Sequence, residues 1–438
     1  VRAASSRPWP GEGGQYFAAR SFRRARRRDF PAPNPAARDT SSQKTTGLTA
    51  GVGAALFGGM DEQLPAPHAG SGPSARVLFC ESSSNFGGQE SQILLQMQFL
   101  RAAGHFTKLV CRADSKIGAR AAGAGLPFRT SPFRNSLDPR SLATVWWELL
   151  RGRYDAVVGH SGHDANIMAM AARTIPRRPA LLRVRTYQPG VPKAAPYARW
   201  TDRTLVPSEY LRGVLLQNPR IPADRVFVLR PLVPFGQLCE QALLPLPEGL
   251  ASQIAVADPL IVHAAMLRSE KGHRLALEVM ARLRQRFPRL RYVVAGSGPR
   301  ENDLRGKARL LGLDENVVFA GLVHPVAPLM ARADLVIMPS FREPLGLAQV
   351  EALGLGVPVA VSDAGGLPET VRDGVTGRIF PARDVDAWTR GLSEILEHRD
   401  VARELAARGR REVCEMFAPD RHLTALLAHV RFRRTAGS

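Results

Sequence analysis

Two carboxylates eight positions apart, Glu343 and Glu351, flank a Pro-Leu-Gly turn in the run Pro339-Ser340-Phe341-Arg342-Glu343-Pro344-Leu345-Gly346-Leu347-Ala348-Gln349-Val350-Glu351-Ala352. This composition starts a helix, because proline is tolerated in a first turn where its missing N–H costs nothing. Glu343 then lies in the loop and Glu351 about two turns along, so the pair can reach opposite ends of an extended ligand along one face. Carboxylates accept well from vicinal hydroxyls. Gly346 and Leu347 fall at the helix N-terminus, where unpaired N–H groups and the helix dipole favour an anion. The combination suits a ligand bearing both sugar hydroxyls and phosphate.

Three further loops fit such a ligand. Arg268-Ser269-Glu270-Lys271-Gly272-His273 places two cations where a helix begins, and fixed positive charge there holds a diphosphate and stabilises it as a leaving group. The glycines of Gly296-Ser297-Gly298-Pro299 let backbone approach a ligand closely, although a plain turn explains them equally. Asp363-Ala364-Gly365-Gly366-Leu367-Pro368-Glu369 is another glycine-bearing turn. Earlier in the chain, Gly87 and Gly88 stand in Ser84-Asn85-Phe86-Gly87-Gly88-Gln89-Glu90, and His160 ends the apolar segment Asp155–Gly159. His160 reads either as an active-site group or as a structural side chain, with His163 the weaker rival. Arg183, Arg185 and Tyr187 could bind an anionic acceptor or form a solvated basic edge. Cys80, Cys111, Cys239 and Cys414 match no metal-ligand spacing, so no metal site and no disulfide framework is expected.

The run from Met266 to Pro381 resembles the donor domain of glycosyltransferase family 4, a retaining group that includes many bacterial cell-surface polysaccharide enzymes. The likeness rests on Pro339-Ser340, Glu343-x7-Glu351, Glu351-Ala352, Gly356-Val357-Pro358-Val359 and Gly365-Gly366-x-x-Glu369. It implies that Glu343 contacts the donor sugar, that the amides of Gly346 and Leu347 hold phosphate, and that Glu351 binds the nucleotide ribose. One position departs from the pattern: where the family commonly has arginine five residues before its lysine, this chain has Met266, and Arg268 is expected to supply the second cation beside Lys271. The first half resembles the acceptor domain more loosely, which implies that Gly87 and Gly88 approach the donor phosphates and that His160 sits near the reacting sugar. The expected set is therefore His160 and Glu343 as catalytic groups, with Gly87, Gly88, Arg268, Lys271, Gly298, Gly346, Leu347 and Glu351 binding the donor. The resemblance further implies a GT-B fold, a nucleotide-diphosphate sugar as donor substrate, a glycan or lipid-linked acceptor, retention of configuration, and no cofactor. Lipopolysaccharide or other surface-polysaccharide assembly at the cytoplasmic face of the inner membrane is the corresponding setting, with peripheral contact to anionic lipid.

The elements that must position these groups are legible as alternation. Apolar runs at Val77–Cys80, Thr107–Cys111, Ala156–Val158, Ala180–Val184, Thr204–Val206 and Val226–Leu229 alternate with helical patterns such as Glu90–Ala103, which predicts a parallel sheet covered on both faces. Alternation resumes at Leu260–Val262, Tyr292–Val294, Val317–Phe319, Leu335–Met338 and Val357–Val361. In doubly wound sheets ligands bind outside the carboxyl ends of the strands, which is where every loop above falls. The expected fold class is α/β: two doubly wound Rossmann-like domains facing across a cleft, with a disordered N-terminal extension. The expected division is a basic extension and linker over 1–74, an acceptor domain over 75–238, a linker over 239–258, a donor domain over 259–405, and a C-terminal helix and tail over 406–438 that packs back on the N-terminal domain.

A chain of 438 residues exceeds the usual size of one core, which agrees with two domains. The net charge of +21 suits a polyanion, an anionic membrane or phosphorylated substrates. Much of the local excess sits in the run Arg23-Arg24-Ala25-Arg26-Arg27-Arg28, inside a segment rich in Arg, Ala, Pro, Gly and Ser that reads as disordered. Met60 follows it, and residues 1–59 read as upstream sequence or a dispensable tail. Two alternatives remain on sequence: a nucleotide-sugar epimerase of the same architecture, and a basic nucleic-acid-binding protein. The second lacks aromatic interleaving or a recognition module, so nucleic acid is not an expected partner.

Overall fold

Among the described residues the apolar runs become thirteen parallel strands in two sheets. The computed structural model describes residues 73–188 and 190–435, so nearly all of the expected extension over 1–74 lies outside the described residues. The first sheet holds β1 (Arg76–Glu81), β2 (Phe106–Arg112), β3 (Phe128–Ser131), β4 (Ala156–Gly159), β5 (Ala180–Val184), β6 (Arg203–Val206) and β7 (Val226–Val228), in the order β3-β2-β1-β4-β5-β6-β7. The second holds β8 (Leu260–Ala264), β9 (Arg291–Ala295), β10 (Val317–Gly321), β11 (Leu335–Met338), β12 (Val359–Ser362) and β13 (Arg378–Phe380), in the order β10-β9-β8-β11-β12-β13. Side-chain alternation fills a core on each face. In β11, Val336 and Met338 enter one apolar cluster while Leu335 and Ile337 enter the other. Each such side chain, fully withdrawn from water, contributes roughly 1.5–3 kcal/mol.

Strand order reverses between β1 and β4 in the first sheet and between β8 and β11 in the second. Those two switch points leave a crevice at the carboxyl ends of the strands. The loops after these four strands carry Gly87, His160, Lys271 and Glu343.

The segment 239–258, expected as a linker, belongs to the second domain's core. It overlaps the helices Phe235–Ala242 and Glu248–Ile254, and Phe235, Leu238, Leu250 and Ile254 join the cluster under β11. Pro245 and Pro247 stand between two short helices rather than in an extended tether. Gly354 admits the Phe235 ring, which lies 2.3 Å from where its Cβ would stand. The last helix, Pro419–Thr435, returns to the first domain and places Leu423, Leu426 and Val430 in the core beneath β1, β2 and β5.

The two halves are tied where their loops meet. Ser208 Oγ donates to the Pro344 carbonyl at 2.6 Å. The Glu369 carboxylate accepts from the N–H groups of Glu209 (2.9 Å) and Tyr210 (2.7 Å), with the Arg230 guanidinium 3.7 Å away. A carboxylate from one domain thus caps the helix Glu209–Leu216 of the other, matching negative charge to orphan donors and the helix dipole. Loss of a cap costs about 1–2 kcal/mol. Glu369→Ala is therefore expected to speed amide exchange at Glu209 and Tyr210 about tenfold, with little change in the strands. Unchanged exchange at both amides would show that this tie does not form.

Candidate functional site

The loops after β8, β11 and β12 meet backbone to backbone, and glycine permits it. Gly272 takes φ +74°, and a Cβ there would stand 1.9 Å from the Pro339 carbonyl oxygen. Gly365, at φ +66°, would place a Cβ 2.1 Å from the Glu343 carbonyl oxygen, and Gly366 would place one 2.2 Å from that of Pro344. Gly366 N–H also donates to the Glu343 carbonyl at 2.9 Å, and Phe341 N–H to the Glu270 carbonyl at 2.7 Å. Ser362 Oγ donates to the Ser340 carbonyl. This packing holds Lys271 Nζ 2.5 Å from Glu343 Oε2, with Ser340 Oγ at 3.4 Å from the same oxygen. Both charged side chains keep a little access, 19% for Lys271 and 11% for Glu343. An ammonium so placed can transfer its attention to a phosphate, leaving the carboxylate for a hydroxyl.

Gly346 begins the helix Leu347–Gly354 with φ +91°, because the Leu367 side chain and Gln349 leave no room for a Cβ. The first N–H groups of this helix, starting at Leu347, have no partner within it. About one turn on, the half-buried Glu351 carboxylate has no hydrogen-bond or ion-pair partner among the described residues, and burial pushes its pKa up to about 7. An acidic group in that state is poised to accept donors that the protein does not supply.

Across the crevice, Gly87 precedes the helix Gly88–Ala102, with its N–H donated to Glu90 Oε2 at 2.8 Å. Gly87 is extended, and a Cβ on Gly88 would meet nothing within 4 Å. Nothing in the protein itself requires glycine at 88, so the space is available to a ligand. The buried Glu81 carboxylate beneath accepts from Ser83 N–H, Ser161 Oγ and Gln89 Nε2, each at 2.7 Å. Asp164 accepts from Ser82 Oγ and from the N–H groups of His160 and Ser161. Burial and the Glu81 charge push the Asp164 carboxyl upward. His160 is buried, its Nδ1 3.3 Å from the Cys80 carbonyl, and burial lowers its pKa to about 4. The ring is therefore neutral. Nδ1–H must be the donor to that carbonyl, which leaves Nε2 with an acceptor lone pair.

The remaining expected donor-site residues lie differently. Gly298 spends its missing side chain on the Leu267 backbone, 2.6 Å from where its Cβ would be. Arg268 lines a cavity that neither Lys271 nor Glu351 lines, and Met266 is 49% exposed. The network of Glu81, Asp164 and Ser161 had no motif of its own, and Glu369, which ends the Gly365-Gly366-x-x-Glu369 pattern, takes an interdomain role that the pattern did not convey. A carboxylate at the buried end of an apolar strand, as at Glu81, was the one available signal. Among the described residues no three His, Cys, Asp or Glu side chains converge to hold a metal ion. Asp384 caps the helix Val385–Glu397 through Ala387 N–H, and Asp386 pairs with Arg282.

Two parallel sheets whose strand-end loops meet around a lysine, two glutamates and glycine-bearing turns define the GT-B architecture. Residues 251–412 match the family described as Glycosyl transferases group 1, and residues 86–235 match Glycosyltransferase Family 4. The chain belongs to these GT-B glycosyltransferases. It is 27% identical over 312 residues to the protein named Putative glycosyltransferase EpsD of Bacillus subtilis, covering 65% of this chain and 78% of that protein. It is 38% identical over 164 residues to the D-inositol 3-phosphate glycosyltransferase of Mycolicibacterium paratuberculosis, which is 36% of this chain and only 37% of the relative. The fold is similar to that of Anabaena HepE in complex with UDP, with TM-score 0.69, 19% identity, and coverage of 80% of this chain and 98% of the other. A glycosyltransferase from Rickettsia africae gives TM-score 0.72 at 18% identity, covering 82% and 98%.

Proposed function

We propose that the protein is a retaining glycosyltransferase that moves a sugar from a nucleotide-diphosphate donor to a glycan or lipid-linked acceptor, in the assembly of lipopolysaccharide or another surface polysaccharide. The observation that carries the donor assignment is Glu351: a half-buried carboxylate without a partner, about one turn along the helix that starts at Gly346 and Leu347. A ribose diol supplies the missing donors while the diphosphate meets the helix N–H groups and Lys271. Lys271 leaves Glu343 for the phosphate, and Glu343 accepts from the donor sugar. His160, neutral, offers its Nε2 lone pair to a sugar hydroxyl. Bond breaking then puts negative charge on the departing phosphate, where Lys271 and the helix dipole stabilise it. On the retaining path that phosphate takes the acceptor hydroxyl's proton on the same face of the sugar, and no enzymic nucleophile is required. Neither a metal nor a cofactor is given a step. Among the described residues no helix is long and apolar enough to cross a membrane; contact with a lipid-linked acceptor at the cytoplasmic membrane face is assigned to basic surface.

The test uses pH. Glu351 is half protonated near pH 7 when no ligand is bound. Ribose hydroxyls bind its ionised form, so affinity must rise with pH through that value, by about tenfold between pH 6 and 8. Dissociation constants for UDP, GDP and ADP, measured across this range, should show the gain for the preferred nucleotide. Glu351→Gln should bind more weakly and lose the increment, leaving only the ligand's own phosphate titration. Identical profiles and affinities in both proteins would overturn the ribose assignment.

A further inference from the structure

One residue along the chain from each member of the Lys271–Glu343 pair, Glu270 and Arg342 line a separate cavity of about 490 Å3. Its walls carry five guanidinium groups, from Arg268, Arg274, Arg300, Arg342 and Arg383. Against them stand two carboxylates, Glu270 in the lining and Asp303 beside it. Asp303 is shared between Arg274 (3.2 Å) and Arg300 (3.0 Å). The guanidinium groups of Arg268 and Arg342 have no hydrogen-bond or ion-pair partner among the described residues, and that of Arg383 lies over the Phe341 ring, 4.9 Å from its centre. Other arginines of this domain do find carboxylates, as Arg399 does in Asp258 and Asp334. Guanidinium groups gathered around a concavity repel one another unless an anion joins them.

Backbone strain sets one of these arginines apart. Arg383 takes φ +74°, a left-handed conformation that side chains other than glycine rarely adopt. His273, 2% exposed, forms part of the lining; its Nε2–H donates to the Met266 carbonyl at 3.2 Å, which leaves the buried Nδ1 an acceptor that offers nothing to an anion. Tyr187, from the first domain, completes the wall. The residue before it, Thr186, donates to Gln89 Oε1 at 2.8 Å, which ties this wall to the Gly87-Gly88 loop. The cavity therefore spans the crevice, yet Lys271, Gly346 and Glu351 are not among its lining residues.

We infer that this arginine-lined cavity is a second anion site that holds the phosphate or diphosphate group of a phosphorylated acceptor. The acceptor role rests on the transferase function proposed above; the anion site itself does not. Guanidinium forks bind phosphate oxygens in pairs, and a cavity of this volume accommodates a diphosphate with part of a sugar. Arg268 belongs to this site, which explains why it stands beside Lys271 in sequence without sharing the Lys271 pocket.

The experiment is calorimetric titration of the full chain with inorganic tripolyphosphate in a Lys271→Ala background, which weakens the donor phosphate site. Arg342→Ser with Arg383→Gly removes two cations, the second at a position where glycine fits the backbone better than arginine. Binding should persist in Lys271→Ala and weaken at least tenfold when both arginines are also replaced, without a lower unfolding temperature. With Lys271 intact, the double variant should still be stabilised by nucleotide as the parent is, while its KM for a phosphorylated acceptor rises at least tenfold and that for the unphosphorylated acceptor does not. No tripolyphosphate binding to Lys271→Ala, or binding indifferent to the arginines, overturns the site. Loss of binding to phosphatidylglycerol vesicles with tripolyphosphate binding retained would make the patch a membrane contact and overturn it as well. A wild-type chain that ignores every nucleotide but binds tripolyphosphate through these arginines would instead sink the transferase proposal alone.

Discussion

Lys271→Ala is expected to lower kcat for sugar transfer by about 10²–10³-fold, the usual consequence of removing one fixed donor from a developing oxyanion. The size of the effect follows from where the ammonium sits. Gly272 turns the chain beneath Pro339, and the loop after β11 is anchored by Ser208, Gly366 and Ser362, so Lys271 is held against Glu343 before any ligand arrives. Once the ammonium has passed from Glu343 to the bound phosphate, this rigid loop holds it there and no further reorganisation is needed as the leaving phosphate gains charge. The same substitution leaves Glu343, 8% exposed, without its cation, so some loss of stability must accompany the loss of rate. Lys271→Met with Glu343→Gln tests the stability term alone, because it removes both charges, while Glu343 is itself assigned to the donor sugar. Thermal stability should recover in the double variant and kcat should not. A single Lys271→Ala protein within tenfold of the parent kcat would place the leaving-group charge elsewhere.

Much of this site was legible because local and global requirements coincide in it. Strand ends, helix starts and glycines at positive φ leave separate traces in sequence, and at Lys271–Gly272 and Glu343–Leu347 all three occur together. Central strands were readable for the same reason: β1, β4, β8 and β11 are buried on both faces and appear as apolar runs. Two edge strands left no such trace. In β3, Phe128, Arg129 and Thr130 are exposed, and β13 is only three residues long, Arg378–Phe380. The helices over 235–254 were hidden by Pro245 and Pro247, which punctuate between elements instead of loosening the chain. What sequence could not convey was which of two neighbouring cations faces which cavity. Arg268 and Lys271 are three residues apart, and the tight Ser269–Lys271 turn followed by Gly272 sends them to different places. The interdomain cap by Glu369 was equally silent, since it depends on how two separate folds dock.

Gly365→Ala is expected to cost more than about 2 kcal/mol of stability, since the left-handed backbone penalises an alanine by roughly 1–2 kcal/mol and overpacking adds roughly 1–3. Its new Cβ would stand 2.1 Å from the Glu343 carbonyl oxygen, a backbone atom that cannot rotate away. Relief requires the loops after β11 and β12 to separate by on the order of 1 Å, and Glu343 moves with its loop. Misplacement on that scale can cost about 10²-fold in rate. Both unfolding temperature and kcat should therefore fall together. Gly88→Ala is the contrasting case: it begins a helix, where alanine is well suited, and its Cβ meets nothing within 4 Å. It should leave unfolding unchanged and weaken nucleotide binding, because the emptied space is the ligand's. Paired measurements of unfolding temperature and nucleotide affinity on the two variants distinguish a glycine required by the chain from one required by what the chain binds. A Gly88→Ala protein with parental affinity would remove that loop from the donor site, and a Gly365→Ala protein with parental stability would mean that the β11 and β12 loops are not in contact.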